Sequence, residues 1–351
     1  MSDSVGGRRA LSAPSSEWRM TLLGMTTCVL CSTSTPACET STQLSATSDG
    51  ALPAGAFAFV VLPDTQYYAS DHPEILDAQT QWILKERTAN NLLLVVHEGD
   101  IVDKDDPRQW TRVSESLHNL DGVVPYALSS GNHDYQRSGH LVSRQSMIDR
   151  YFPPATFAAM PSFGGTFESE HIENSFQVIG APGGPWLILS LEFGPRDAVL
   201  EWASSIAKQH ASMPAIVVTH AYLYSDNTRY DHLTRPDQLW NPHLYLDDSV
   251  AGSVNDGEEI WRKLIAGNDN IRFVLCGHDI EDGVGRLTST RPDGSQVHQL
   301  LANYQMLPMG GGGFLRLMLF FPEDRRVALR TYSPFLNSFK TDPDNQFELD
   351  Y

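Results

Sequence analysis

The sequence is poor in basic residues and in cysteine, and each shortage excludes a class of protein. In 351 residues, 25 lysines and arginines stand against 43 aspartates and glutamates, which gives a formal net charge of −18 at pH 7. A surface this acidic repels phosphate backbones, so the composition excludes nucleic acid as a standing partner. Only four cysteines occur, three of them in the first 40 residues, and this excludes a disulfide framework.

Long apolar runs and nucleotide-binding loops are also missing. No stretch of about 18 apolar residues occurs, so the sequence predicts no membrane-spanning helix. Four consecutive glycines at residues 310–313 are followed by a strand-like run and by no Lys-Ser or Lys-Thr pair, which excludes a phosphate loop. What is present is a chain with 41% hydrophobic residues, enough to bury a large core.

The N-terminal part differs in composition from the rest of the chain. Three arginines precede a modestly apolar stretch, and Cys38 follows it, ahead of a run rich in serine and threonine. This order is typical of a bacterial export signal of the lipoprotein type, although Thr35 stands where leucine is usual. We therefore expect an export or lipoprotein signal at residues 1–38, a flexible tether at 39–55, and a periplasmic or cell-surface protein tethered through Cys38. The alternative is an N-terminal tail with no targeting role.

Residues 56–351 are predicted to form one domain, in which short apolar runs alternate with helical patterns. The runs are rich in β-branched residues and are typical of strands buried on both faces. Alternating strands and helices indicate a layered α/β fold. The predicted helices span 73–87, 107–120 and 196–210, and the predicted strands span 57–62, 92–96, 123–128, 215–218, 271–276, 296–302, 314–321 and 326–332.

Five of these strands stop at residue types that bind metals. Because α/β proteins keep their sites at the carboxyl ends of the strands, we expect the following side chains to lie close together. Any one of them has an ordinary explanation, such as a turn residue or a hydrogen-bonded histidine, but a series of five is hard to explain in that way. In chain order they are Asp64 and Gln66, Asp100 and Asp103, Asn132 and His133, His220, and His278.

These motifs resemble those of the calcineurin-like metallophosphoesterases, over residues 57 to about 332. The family pattern is Asp-x-His, Gly-Asp-x-x-Asp, Gly-Asn-His-Asp/Glu, an isolated His, and Gly-His-x-His. The second and third motifs are intact here, at residues 99–103 and 131–134, and His220 supplies the isolated histidine. The first and last motifs each lack a histidine, because Gln66 and Ile280 stand in its place. The Asp-Thr-Gln opening is similar to a bacterial branch of the family that is often exported.

The resemblance implies a fold and an activity. The fold is a four-layer sandwich of two mixed β-sheets flanked by helices. The activity is hydrolysis of a phosphate ester by metal-activated water, since two cations can lower the pKa of a water and neutralise the phosphoryl oxygens. The substrate would be a small-molecule or lipid phosphate ester, either a monoester or a diester. The resemblance implies no particular oligomeric state.

The resemblance also implies which residues bind the metals. Asp100 would bridge two ions, and two imidazoles suit Zn²⁺, Fe²⁺ or Mn²⁺ at one position. The other position has mostly oxygen donors and suits Mn²⁺, Mg²⁺ or Ca²⁺, so we expect one tight and one weaker metal. Gln66 is either a weak ligand there or a surface amide. The first position comprises Asp100, Asn132, His220 and His278, and the second comprises Asp64, Asp100 and Gln66.

His133 and Asp103 would carry the acid–base chemistry. In the resembling family the matching histidine assists the leaving group and the matching aspartate orients it. The departures at positions 66 and 280 favour an alternative, a metal-binding surface protein on the same fold with weakened catalysis. Further candidates for a phosphate pocket are His97, His140, Arg108, Arg144 and Arg229.

Overall fold

The computed structural model describes residues 52–138 and 141–351, whose backbone forms two large β-sheets flanked by helices. The predicted signal at 1–38, including Cys38, lies outside the described residues, as do residues 39–51 of the predicted tether and His140. Among the helices that the structure describes, none is both long and apolar enough to cross a membrane.

Strands and helices are interspersed through residues 57–276, as is typical of layered α/β proteins, and strands dominate residues 284–350. The strands are β1 (Phe57–Leu62), β2 (Leu92–His97), β3 (Tyr126–Leu128), β4 (Arg137–Ser138), β5 (Leu141–Val142), β6 (Phe163–Thr166), β7 (Ser175–Ile179), β8 (Trp186–Ser190), β9 (Ala215–Val218), β10 (Ile271–Cys276), β11 (Val284–Thr290), β12 (Gln296–Ala302), β13 (Leu315–Phe321), β14 (Arg326–Ser333), β15 (Ser338–Lys340) and β16 (Gln346–Asp350). The helices are α1 (Gln66–Asp71), α2 (Pro73–Glu86), α3 (Pro107–Leu117), α4 (Ile148–Tyr151), α5 (Pro154–Ala158), α6 (Asp197–Gln209) and α7 (Gly257–Ile260), which continues into a π-helical turn at Trp261–Ile265. Short 3₁₀ turns occur at His118–Leu120, Asn132–Asp134 and Pro242–Leu244.

Both large sheets mix parallel and antiparallel pairs. The first has the strand order β15-β14-β13-β1-β2-β3, with β16 also paired to β14, and its parallel pairs are β1 with β2 and β2 with β3. The second has the order β11-β12-β10-β9-β8-β7-β6, and its central strands β12, β10, β9 and β8 are parallel. Parallel strands require crossover connections, and helices such as α3 and α6 lie in these connections.

The two sheets pack face to face over a shared apolar core. Alternate residues of the strands point into it, as the two-residue period of a strand requires. Phe57 of β1 stacks on Phe320 of β13 with ring centroids 4.8 Å apart, within this core. The opposing sheets contribute, among others, Phe57, Phe59 and Val61 on one side and Ile188, Ile216 and Phe273 on the other.

The outer face of the second sheet is covered by α6. Val199, Leu200 and Ala203 form one apolar stripe on this helix, at the spacing expected of neighbours on a helical face. The stripe packs on the strand residues that point away from the inner core, including Leu187, Leu189, Val217 and Val274. The expected fold class, two mixed sheets with flanking helices, is therefore confirmed.

Most predicted elements occur close to their predicted bounds, and the differences have local causes. The predicted strand at 123–128 shortens to β3, because Val123 and Val124 donate their backbone N–H groups to the carbonyl of Leu120 and close a turn. The predicted helix at 107–120 ends as a 3₁₀ turn after Leu117. The sequence did not predict the strands β4 to β8, β11, β15 and β16.

The five strands that end in candidate ligands belong to two sheets. β1, β2 and β3 lie in the first sheet, and β9 and β10 lie in the second. Their carboxyl ends are joined across the gap, since His220 Nδ1 donates to the carbonyl of Glu98 over 2.9 Å. The backbone N–H of His278 also reaches Asp64 Oδ1, at 3.2 Å. The site is thus built where the two sheets meet.

Candidate metal centre

Asp100, His220 and His278 lie at the middle of this junction. One ligand atom from each falls within 4.8 Å of the others, and all three residues are buried. His220 Nε2 is 3.2 Å from Asp100 Oδ2 and 3.9 Å from Asp64 Oδ1. Two imidazoles with carboxylate oxygens form a donor set that divalent transition metals accept.

Backbone carbonyls fix which nitrogen of each histidine faces the centre. His220 Nδ1 donates to the carbonyl of Glu98, and His278 Nε2 donates to the carbonyl of Trp240 over 2.7 Å. The remaining nitrogens, His220 Nε2 and His278 Nδ1, face each other at 3.2 Å. Two lone pairs at that distance repel unless a cation or a proton lies between them. A metal-binding histidine usually donates its other ring N–H to a carbonyl or carboxylate, as His220 and His278 do here.

Three further oxygen atoms at the junction are buried and lack a hydrogen-bond partner within the described part of the chain. Buried polar atoms are rarely left unpaired, because the loss of hydration costs about 1–3 kcal/mol each. Oxygens of carboxylate and amide groups are ligands of hard divalent cations. The residues present therefore fit the metals that the motifs imply. The three atoms are Asp64 Oδ2, Gln66 Oε1 and Asn132 Oδ1.

Gln66 is a buried amide, so the interpretation as a surface amide is wrong. Its side chain lies in the first turn of α1, and the residue is 1% exposed. Its Nε2 donates to Asp100 Oδ2 over 3.1 Å. Gln66 thus holds the central carboxylate in place and keeps Oε1 available as a ligand atom.

The charges at the centre are strongly coupled. Burial raises the pKa of Asp64 to about 7, against the attraction of His220. Burial also opposes ionisation of Asp100, but His220 and His133 hold its pKa below the usual range. Burial lowers the pKa of His220, yet the contact with Asp100 outweighs this and raises it to about 9. A positive charge between the two groups is therefore favoured, and without a metal a proton takes that place.

His278 does not share this proton. Burial and the neighbouring His220 lower its pKa to about 3, so its Nδ1 keeps a free lone pair. Phe193 and Tyr245 lie against its ring, with centroids 5.5 and 5.7 Å away, and exclude water from it. A neutral imidazole held in this way is ready to bind a cation.

Left-handed backbone conformations place two of these side chains. Asp100 has φ 49° and His278 has φ 73°, values that non-glycine residues rarely adopt. Such strain persists where the surrounding structure imposes it and is common at functional sites. Glycine is required at positions 131 and 277 for a different reason, because neither position has room for a side chain. A Cβ at Gly131 would collide with the Asp100 carboxylate, and one at Gly277 would collide with that of Asp64.

His133 lies beside the centre and is partly open to solvent. Its backbone N–H donates to Asp100 Oδ1 over 2.9 Å, and its side chain is 27% exposed. Its Nδ1 lies 2.8 Å from the backbone carbonyl of Asp103 and 3.6 Å from the Asp103 carboxylate. The hydrogen bond that orients the ring is therefore made by the main chain of Asp103, and its carboxylate adds only an ion-pair contact.

Three residues near the centre have roles that the sequence reasoning did not assign. Asp134 accepts from the backbone N–H groups of Val102 and Gly131, over 3.0 and 2.8 Å, and so ties the second motif to the third. Glu98 and Trp240 contribute backbone carbonyls to the two central histidines. The position of Asp134 in the third motif was a signal for its role, whereas no sequence pattern marks Trp240.

Of the proposed phosphate-pocket residues that the structure describes, His97, Arg144 and Arg229 make other contacts. His97 is buried and bonds Thr65 Oγ1 over 2.9 Å. Arg144 donates to the carbonyls of Phe193, Gly194 and Ser253 and pairs with Glu192, and Arg229 pairs with Glu258 over 2.9 Å. Arg108 lies 3.7 Å from Asp106, with its side chain 89% exposed. These contacts give Arg144 and Arg229 structural functions.

The sequence and the fold together define the class. A sequence profile of the calcineurin-like phosphoesterases matches residues 57–282, more than half of the chain, and the protein belongs to this family. Metal-dependent hydrolysis of phosphoesters is the chemistry of this family, and the cluster of Asp100, His220 and His278 described above could hold a metal ion.

A relative in Bacillus subtilis (strain 168), the uncharacterized protein YvnB, is 31% identical over 297 residues. This match covers 82% of the chain and 21% of YvnB, so the chain spans about a fifth of that relative's length. Among solved structures, the purple acid phosphatase PPD1 from yellow lupin is 15% identical with a TM-score of 0.47, covering 84% of this chain and 54% of its own. A predicted phosphoesterase from Streptococcus pneumoniae is 11% identical with a TM-score of 0.34, covering 84% and 98%.

Proposed function

We propose that this protein hydrolyses a small-molecule or lipid phosphate ester, with His133 assisting the leaving group. The observation that carries the proposal is the pair of imidazole nitrogens, His220 Nε2 and His278 Nδ1, that face each other at 3.2 Å with their tautomers fixed by backbone carbonyls. The residues that would hold the metals are Asp64, Gln66, Asp100, Asn132, His220 and His278. When bound, divalent metals supply charge neutralisation for the phosphoryl oxygens and acidify a water.

The chain itself would contribute His133 as an oriented proton donor. His133 Nδ1 donates to the carbonyl of Asp103, so in the imidazolium form its Nε2 carries a second proton, which it would give to the leaving oxygen and thereby become neutral. The side chain is exposed enough for a substrate to reach Nε2, and the hydrogen bond from its backbone N–H to Asp100 fixes its distance from the centre. A positioned histidine of this kind needs no large motion to act.

An assay with chromogenic substrates tests the proposal. Phosphomonoesters and phosphodiesters are offered to the purified protein with added Mn²⁺, Zn²⁺, Mg²⁺ or Ca²⁺, and turnover is followed by absorbance. We expect metal-dependent hydrolysis of at least one substrate, its loss with a chelator, and its loss in Asp100→Ala. Full metal binding without turnover of any ester would contradict the proposal.

That negative outcome would favour the second candidate function, a metal-binding surface protein on the same fold. The observation in its favour is that positions 66 and 280 offer no imidazole to the second metal. The observation against it is that His133 is held beside the centre and bonded to Asp103, since binding alone requires no such group.

We also propose that the protein is exported and anchored to a membrane through Cys38. Support comes from the apolar stretch before Cys38 and the Ser/Thr-rich run after it. In the native host we expect the mature chain to begin at Cys38 and to carry a lipid, which mass spectrometry of the N-terminus measures. Cys38→Ala should move the protein from the membrane fraction to the soluble one. A mature chain that keeps Met1, or one that begins near Ala51, would refute the anchor.

A further inference from the structure

A second group of metal-binding side chains lies on the segment that follows β9. His232, His243, Asp256 and Glu259 each offer a ligand atom, and these atoms lie within 4.8 Å of one another. Asp256 is 1% exposed, and the other three residues are half-buried. None of the four belongs to the motifs that define the family.

The imidazole of His243 lies between two carboxylates. Its Nδ1 lies 3.3 Å from Asp248 Oδ2, and its Nε2 lies 2.9 Å from Glu259 Oε2. A neutral imidazole carries one N–H, so it can donate to only one of two carboxylates. At the other carboxylate, two acceptor atoms face each other unless a second proton or a metal ion joins them.

The neighbouring imidazole of His232 belongs to the same cluster. The imidazole of His232 stacks on that of His243 with centroids 3.6 Å apart, and its Nδ1 lies 2.9 Å from Asp256 Oδ2. His232 and Asp256 thus bring an imidazole and a carboxylate together beside the pair His243–Glu259.

The donor set suits a divalent ion of intermediate hardness. Two neutral imidazoles and two carboxylates carry a formal charge of −2, which one such ion balances. In the absence of metal, Lys263 Nζ balances part of this charge, since it lies 3.7 Å from Glu259 Oε1. Zn²⁺ binds imidazole nitrogen and carboxylate oxygen at about 2.0–2.2 Å in a tetrahedral arrangement. Binding one ion would require the four side chains to move closer together and the two stacked rings to turn toward it.

The same segment touches the metal centre through its backbone. Residues 221–256 join β9 to α7 and contain, as regular structure, the short turn Pro242–Leu244. Trp240 lies between His232 and His243, has φ 61°, and accepts the hydrogen bond from His278 Nε2. An ion that tied His232 and His243 to the start of α7 would therefore hold the Trp240 carbonyl in place.

We propose that His232, His243, Asp256 and Glu259 form a separate structural site for a divalent transition metal, with Zn²⁺ as its preferred ion, that clamps the 221–256 segment and thereby orients His278. A clip that closes a long irregular segment stabilises the folded state, because metal binding free energy adds to folding free energy. This site lies apart from the residues of the proposed hydrolysis, and its existence does not depend on that activity.

The test counts bound zinc in a chain that has lost the central site. In an Asp100→Ala/His220→Ala background, Zn²⁺ binding is measured by equilibrium dialysis with elemental analysis, and unfolding is followed by heat. We expect one equivalent of bound Zn²⁺ and a raised melting temperature. Adding His243→Ala or Glu259→Gln should weaken that binding by at least about 10–100-fold, the range known for lesser perturbations of a metal site.

Glu259→Gln keeps an acceptor for the backbone N–H of Asp256 and so separates metal binding from helix capping. The control is His118→Ala in the same background, because His118 also pairs with a carboxylate, Asp121 at 2.9 Å, and lies outside the cluster. It should bind zinc as the background does. If the background variant fails to fold, the full chain with His243→Ala must hold one equivalent less than with His118→Ala. Two results would overturn the proposal and identify the cluster as a hydrogen-bonded network. The His243→Ala and His118→Ala chains would bind equal amounts of zinc, or added zinc would leave the melting temperature unchanged.

Discussion

Replacing His133 with alanine is expected to lower kcat by about 10²–10⁴-fold while fold and metal content stay unchanged, which is the usual scale for a lost acid–base group. The expectation follows from its position. His133 is joined to Asp100 through its backbone N–H, which the substitution retains, and its ring nitrogen Nδ1 is bonded to Asp103. Only the proton carrier at the leaving oxygen is removed. The measurement is steady-state turnover of an ester with a poor leaving group, since an activated leaving group departs without a proton.

Asp103→Ala provides the matched comparison. It removes the carboxylate, at 3.6 Å from His133 Nδ1, and keeps the carbonyl that makes the 2.8 Å bond. The imidazole should therefore keep its orientation, and kcat should fall by less than in His133→Ala. A loss equal to that of His133→Ala would show that the carboxylate is the group that matters. Unchanged kcat in His133→Ala on a poor leaving group would remove the assigned role altogether.

The sequence was sufficient to identify the candidate ligands but not to show how they come together. Apolar runs that stop at donors predicted that Asp64, Asp100 and His220 would gather at strand ends, and they do. That the strands belong to two sheets depends on hydrogen-bond pairing across distant parts of the chain, which no local pattern encodes. The family resemblance supplied the two-sheet fold that periodicity alone left as one layered sheet.

The unforeseen parts of the site are contacts made by the main chain. The carbonyls of Glu98 and Trp240 set the tautomers of His220 and His278, and a backbone carbonyl has no side-chain signature. Gln66 illustrates a different difficulty. An amide at the start of a helix is usually exposed, and Gln66 is buried here because α1 packs against α2, α3 and the turn at residues 308–311. Tertiary packing overrides residue preference at these positions.

The centre should hold its two metals unequally, because the imidazoles are distributed unequally. His220 and His278 converge on one position together with Asp100, and Asn132 Oδ1 is buried without a hydrogen-bond partner in the described part of the chain. Gln66 offers the other position a single amide oxygen, since its Nε2 is bonded to Asp100, and Ile280 offers nothing. The nearby carboxylates at positions 279, 281 and 282 are engaged in hydrogen bonds of their own. Asp279 accepts from Tyr230, Glu281 accepts from Tyr224 and Ser225, and Asp282 accepts from the backbone of Val284.

We therefore expect nearer one tight metal than two at this centre after purification, with activity that rises on added Mn²⁺. The count is made by elemental analysis of the His243→Ala chain, so that the separate cluster at residues 232–259 contributes nothing. The double substitution Gln66→His and Ile280→His should tighten the weaker position by about 10–100-fold, the range over which changes around a ligand shift metal affinity. Gln66→His with Ile280→Leu is the control, since leucine adds no donor at position 280. Two transition metals held tightly by the His243→Ala chain would prove the asymmetry wrong, because the second position would then bind firmly without either imidazole.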